Sequence, residues 1–231
     1  MLNICLASMG VVKMEARTKP QQAQKARAGR GRPRKGAEPG TDTLLESALQ
    51  SFAENGFENT SLRNIATIAD VDVALISYRH GSKFGLWTAV VSSVAEESLQ
   101  NIDKFIADAL KLPAEQRVDY VAEQLVEMIF SKPHFARLMI GEVAGSPDRE
   151  RQTFIAEKLG KPIHTKLRHF LDDHKEEARL IDDDLAVFAS ISLLGLLSTT
   201  QDFLSEMVGI KHSDKELKSQ MTRIVTGLLT R

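Results

Sequence analysis

The chain has 231 residues, 42% hydrophobic and 26% charged, with a formal net charge of −1. That is the composition of an ordinary soluble protein with a real core, and neither a low-complexity nor a disulfide-framework chain. The single cysteine, Cys5, excludes an intrachain disulfide and a cysteine-based zinc site, and it fits a reducing cytoplasm.

The charge is uneven along the chain. Residues 1–40 hold nine Lys/Arg and two Asp/Glu, and the remainder is acidic. This segment lacks apolar periodicity and reads as a disordered basic arm, 1–40, that seeks a polyanion. Met1 to Val12 are apolar but have no positive n-region before them and no small-residue cleavage site after them, so they do not read as a signal peptide. Met9 and Met14 are alternative starts. Within the arm, Arg30-Gly31-Arg32-Pro33 matches the core of an AT-hook, and Arg34-Lys35 extends the basic run. An extended Arg-Gly-Arg lies well in a narrow A·T-rich minor groove, whose negative potential draws arginine. Nonspecific phosphate attraction would use the same charges.

From Thr41 the pattern turns helical. Leu45, Ala48, Leu49 and Phe52 share a helix face, and Asn55-Gly56 stops that helix. Thr60 is expected to cap a second helix with Leu62, Ile65 and Ala66 inward. Asp70-Val71 makes a turn, Asp72 caps a third helix to about His80, and Gly81 ends it. Ser82 caps a long fourth helix from Lys83 to about Leu110, with Gly85 as a weak interruption. Further helices are expected at Arg117–Phe130, Pro133–Val143, Pro147–Lys175, Asp183–Val208 and Ser213–Leu229. No strand pattern appears. The apolar run from Leu185 to Thr200 is short of the ~20 residues of a membrane span and reads as a buried helix that must be covered on both sides.

Two short helices joined by a tight turn form a unit that sets one helix in the DNA major groove. Residues at the start of the third helix, Val73, Ala74, Leu75 and Ser77, would face base edges; being small or apolar, they suit thymine methyls and shape. Tyr78, Arg79 and Lys83, with Thr60, Ser61 and Arg63, suit phosphates. Residues 41–90 carry three Lys/Arg against six Asp/Glu, so this unit lacks electrostatic affinity of its own. The arm, with Arg30, Arg32 and Arg34, is expected to supply it.

The ordered set Ala48, Phe52, Gly56-Phe57, Thr60-Ser61, Ile65-Ala66, Ala69, Val71, Ile76, Tyr78, Gly81-Ser82-Lys83 and Leu86 resembles the N-terminal domain of the tetracycline-repressor (TetR/AcrR) family of transcriptional regulators. Three positions depart from its pattern: among them, His80 stands where that family has a buried Phe, and Phe84 where it has Glu. Arg79 also replaces a His, adding a phosphate contact. The resemblance implies an all-α protein. A helix-turn-helix domain, 41–88, is joined to a helical effector-binding and dimerisation domain, 89–231. It also implies a cytoplasmic homodimer paired through the last two helices on a palindromic double-stranded DNA operator. A mostly apolar small-molecule effector would release that operator. Candidate pocket residues are Phe105, Met128, Phe135, Met139, Glu142, Phe170, Phe188 and Gln201, with Glu142 able to meet a cationic group.

No cofactor, metal site, membrane contact or catalytic constellation is expected. His164, His169 and His174 are five apart, which turns each ~140° around a helix and spoils a shared metal face. Two other readings stay open: an architectural DNA-binding protein without effector, and an α-helical enzyme with a vestigial DNA-binding module.

Overall fold

The computed structural model describes residues 41–173, 182–209 and 213–230; Arg30, Arg32, Arg34 and His174 lie outside them. Among the described residues every regular element is helical. Helix α1 (Thr41–Asn59) buries Leu44, Ala48 and Phe52. Its break comes at Gly56, whose φ of 74° and ψ of 168° suit glycine, but a further helical turn follows before the chain leaves at Thr60. Helices α2 (Leu62–Ile68) and α3 (Val73–His80) bury Ile65, Ala66 and Ile76 against α1. The turn between them places Asp70 at a φ of 54°, a region that Asp tolerates better than most residues.

Helix α4 (Lys83–Ala109) is one unbroken element serving two cores. Its first half gives Leu86, Trp87, Val90 and Val91 to the core of α1–α3. Its second half gives Ile102, Phe105 and Ala109 to the body, where α5 (Ala114–Phe130), α8 (Lys161–Asp172), α9 (Asp183–Thr199) and α11 (Asp214–Thr230) close around them. Trp87 is fully buried; it stacks on Phe84 at 5.8 Å and meets Phe57 edge-on at 6.3 Å. It also touches Phe154 of the body at 5.8 Å. Leu138 and Ile155 of the body join the same core, so the α1–α3 unit and the body share buried apolar surface.

Three expected helices differ in detail. Helix α6 (Pro133–Ile140) continues into a π-helical turn, Gly141–Gly145. The stretch 147–175 contains α7 (Arg149–Ile155), a second π-helical turn at Ala156–Gly160, and then α8. The stretch 183–208 is two helices, α9 and α10 (Gln201–Val208), bent by 78°. The bend has a local cause. Ser198, Thr199 and Thr200 follow one another, and their hydroxyls donate to the carbonyls of Gly195 and Leu196 at 2.8–3.3 Å. Such back-bonding competes with the helical ladder and bends it.

Helix α9 is covered on one side only among the described residues. Ala186, Val187, Ser190 and Leu194 are buried, whereas Leu185, Phe188 and Leu196 are exposed. Phe203 and Met207 of α10 continue the exposed apolar surface. No single helix among the described residues is long and apolar enough to cross a membrane.

Candidate nucleic-acid interface

Helix α3 begins at Asp72, whose carboxylate accepts from the Ala74 amide at 2.7 Å. That cap fixes the helix start and frees the next turn to face outward. Ala74, Ser77 and Tyr78, at i, i+3 and i+4, form an exposed stripe, with Arg79 exposed beside it. Tyr78 stands 89% exposed, an unusual setting for a large aromatic side chain with no partner among the described residues. Ile76 is buried and anchors the opposite face. The structure thus narrows the expected base-facing set: Val73 and Leu75 are half-buried, and Val73 packs on the core of α1–α3.

Two expected phosphate contacts, Thr60 and Lys83, are turned towards their own fold. Thr60 is not the cap of α2 and does not face outward. It is 3% exposed, and its hydroxyl donates to the carbonyls of Gly56 at 2.7 Å and Ser51 at 3.1 Å, closing the end of α1. Ser61, one residue on, is the cap, accepting from the Asn64 amide at 3.2 Å. Two adjacent hydroxyl residues competed for one role, and the deeper one took the helix-end carbonyls. Lys83 is half-buried; its Nζ donates to the Phe57 carbonyl at 2.7 Å and to the Glu58 carbonyl at 3.2 Å, and lies 4.4 Å from the Phe57 ring centre. A cation at a helix C-terminus meets its unpaired carbonyls, which explains the capture. Arg63 and Ser61 remain exposed at the start of α2, on a surface that also shows Asp70 and Asp72.

The junction of α3 and α4 is tight. Gly81 takes a φ of 74°, and Ser82 caps α4 by accepting from the Gly85 amide at 3.0 Å. His80, where a buried Phe was expected by resemblance, has its Nε2 buried without a hydrogen-bond partner. Burial, then the neighbouring Arg79 charge, holds its pKa below the ordinary histidine value of 6.5. The folded state therefore favours neutral His80. Its contribution is full above the unfolded pKa and is lost as pH falls through the depressed folded value. His80→Phe is expected to raise stability at pH 7 by about 1 kcal/mol by removing an unsatisfied polar atom. It should also flatten the loss of Tm below pH 6.5. Melting curves from pH 7.5 to 5 check both; a steeper acid loss in the variant would refute the assignment.

The expected pocket residues are not gathered at one cavity. Phe105 and Phe170 are 5% and 4% exposed and belong to the body core. Met128, Phe135 and Met139 are partly buried against it. Phe105 and Met128 meet at an open depression of about 370 Å³ shared with Asn101 and Tyr120, to which the others do not contribute. Phe188 is 62% exposed on the outer face of α9, so it does not line an interior. Gln201 is half-buried at the start of α10, beyond the bend. Glu142 is buried, but its carboxylate accepts from Arg151 Nε at 2.8 Å and is committed to that cation. His164 faces Asp184 at 3.1 Å, and His169 is exposed.

Arg151 escaped sequence reasoning. Nothing in its neighbourhood marks it apart from an ordinary charged helix position, yet it is 3% exposed. Burial disfavours its charge, but the Glu142, Asp148 and Glu58 carboxylates outweigh that and raise its pKa.

Residues 44–90 match the family described as "Bacterial regulatory proteins, tetR family". The "Probable HTH-type transcriptional regulator YttP" of Bacillus subtilis is 37% identical over 89 residues, which is 38% of this chain and 40% of that protein. The match thus spans less than half the length of that curated relative. Among solved structures, the fatty acid degradation regulator FadR of Bacillus halodurans has the same fold over 84% of this chain and 97% of its own, with a TM-score of 0.62 and 17% identity. FadR of Bacillus subtilis, solved in complex with stearoyl-CoA, covers 80% of this chain and 97% of its own, with a TM-score of 0.59 and 17% identity. Residues 44–90 thus carry the helix-turn-helix unit of the tetR family of bacterial regulatory proteins, on an all-helical body with the fold of these solved structures.

Proposed function

We propose that this protein is a homodimeric transcriptional repressor that binds a palindromic operator and is released by a mostly apolar effector. The outward stripe of Ala74, Ser77 and Tyr78 on the capped helix α3 carries the DNA-binding part of this reading. Ala74 and Ser77 read base edges. Tyr78, Arg79, Ser61 and Arg63 fix the register on phosphates. Arg30, Arg32 and Arg34 enter an adjacent minor groove, supplying cations that the unit lacks.

Dimerisation is supported by the exposed apolar face of Leu185, Phe188 and Leu196 on α9, and by exposed Ile224 on α11. A contiguous face of this kind calls for a partner, and a second copy supplies the two-fold axis that a palindromic site needs. The likeness to FadR of Bacillus subtilis, solved with stearoyl-CoA, supports a long acyl chain as the effector class. Because Phe105 and Phe170 fill the body core, such a ligand enters by parting α4 from α8. A ligand that favours the parted state shifts the dimer towards it, and releases DNA where that state holds the two α3 helices away from the operator spacing.

Selection of bound duplexes from a random pool is the test. A two-fold symmetric site is expected. Tyr78→Ala should weaken binding to all sequences by about tenfold, the loss of one phosphate hydrogen bond. Ser77→Asn should change the selected bases instead. An asymmetric or sequence-independent pool would favour an architectural protein that needs no effector.

A further inference from the structure

Arg151 is the most heavily engaged buried charge among the described residues, and its partners come from two directions. On the body side, Nε bonds Glu142 at 2.8 Å, Nη1 bonds Asp148 at 2.9 Å, and Nη2 bonds the Ser146 hydroxyl at 2.9 Å. On the side of the DNA-reading unit, Nη1 lies 3.2 Å from the Glu58 carboxylate, and the guanidinium carbon sits 4.2 Å from the Phe57 ring centre.

A buried ion pair is weak evidence for stability, because desolvation consumes most of the Coulombic gain and apolar residues would serve as well. The fork geometry of arginine does something apolar residues cannot: it holds several groups at fixed angles. What it holds here is informative. Phe57 and Glu58 lie just past the Gly56 break and just before the Ser61 cap of α2. The Phe57 carbonyl is held in turn by Lys83, the first residue of α4, two residues after the Gly81 that ends the recognition helix. Body, Arg151, Phe57, Lys83 and the end of α3 thus form one continuous chain of contacts.

The body end of that chain sits on irregular backbone. Glu142 lies in the π-helical turn Gly141–Gly145, and the second π-helical turn follows α7 at Ala156–Gly160. Such turns carry strained hydrogen bonding and concentrate at functional sites.

We propose that Arg151 is a positioning residue: it transmits the state of the 141–160 segment to the recognition helix through Phe57, Glu58 and Lys83. This rests on the DNA-binding reading above. Coupling of this kind is reciprocal, so DNA bound at α3 must be felt at Gly141–Gly145.

Amide hydrogen exchange on the full chain tests it. Removing Arg151 alone would strand Glu142 as a buried unpaired charge, so the main variant is Glu142→Met with Arg151→Met, which keeps the volume. In the free protein, exchange across residues 57–69 and 75–82 is expected to rise about tenfold in this variant, with residues 121–126 unchanged. With duplex DNA selected by the wild type, exchange across 141–152 should slow in the wild type. In the variant that remote protection should vanish while DNA still binds. A merely structural pair would not abolish it. If the double variant fails to fold, Glu58→Gln replaces it: that side chain is 76% exposed, and both changes should appear at about threefold. Wild-type exchange in 57–69, or undiminished remote protection, in a folded variant overturns the proposal. If the wild type selects no DNA, the DNA-binding reading fails, and the free-protein exchange still decides the joint.

Discussion

Gly85→Ala is expected to cost about 1–3 kcal/mol and to lower Tm by several degrees, although a Gly-to-Ala change inside a helix normally stabilises. A Cβ at Gly85 would sit 2.0 Å from the His80 carbonyl oxygen and 3.2 Å from its carbon. Those are backbone atoms and cannot swing aside as a side-chain tip would. The same carbonyl accepts from the Ser82 amide at 2.8 Å, so it is held from the other direction. Relief requires the end of α3 to move away from the start of α4, which re-aims Ala74, Ser77 and Tyr78. Binding to selected DNA should therefore fall together with stability. Gly227→Ala in α11 is the control: its Cβ would meet nothing within 4 Å, and it should gain about 0.5–1 kcal/mol. Thermal melts of both variants check the pair. A Gly85→Ala protein that melts like the wild type would show that the close approach relaxes at no cost.

Removal of residues 1–36 is expected to reduce operator affinity by about a hundredfold at low salt and to lower the salt slope by about 3. The deleted piece contains all nine Lys/Arg of the first forty residues, whereas residues 41–90 carry three Lys/Arg against six Asp/Glu. Lys83 is moreover committed to the carbonyls of Phe57 and Glu58, which leaves still less positive charge for phosphates than the sequence suggests. The loss should be larger on operators with A·T-rich flanks, where the minor groove is narrow. Titrations at several salt concentrations on A·T- and G·C-flanked sites separate the two contributions. An equal loss on both would leave only phosphate attraction; no loss at all would remove the arm from the DNA-reading device. The melting temperature should be unchanged.

The legible part of this protein was its periodic part. Leu45, Ala48, Leu49 and Phe52, then Ile65-Ala66, mark inward faces by spacing alone; Ala48, Phe52, Ile65 and Ala66 are buried, and Leu45 and Leu49 are partly buried against them. Gly56 and Gly81 mark breaks because their backbone angles suit few other residues, and both have positive φ. Caps were legible to within one residue: Ser61 took the place expected of Thr60. Helix ends set by hydroxyl back-bonding were not. Ser198, Thr199 and Thr200 could equally have pointed away from their own ladder, and only the packing of α9 against its neighbours decided it. The pocket residues follow from the resemblance, and an apolar side chain on a helix looks the same in the sequence whether it faces a ligand or a filled core. Phe105 and Phe170 proved to be core, and Phe188 to be surface.

The sequence alone determined the family unit, the helical class and the separation of a basic arm from an acidic body, because these depend on local spacing and on charge, which do not change on folding. The tertiary structure decided which charges are available. Arg151 looks like any exposed helical arginine in the chain, and Lys83 like a free phosphate ligand. Folding brings Glu142, Glu58 and the end of α1 to them across long stretches of sequence. The value of a charge depends on its distance to partners and on the water excluded around it, and neither is a property of neighbouring residues in the chain.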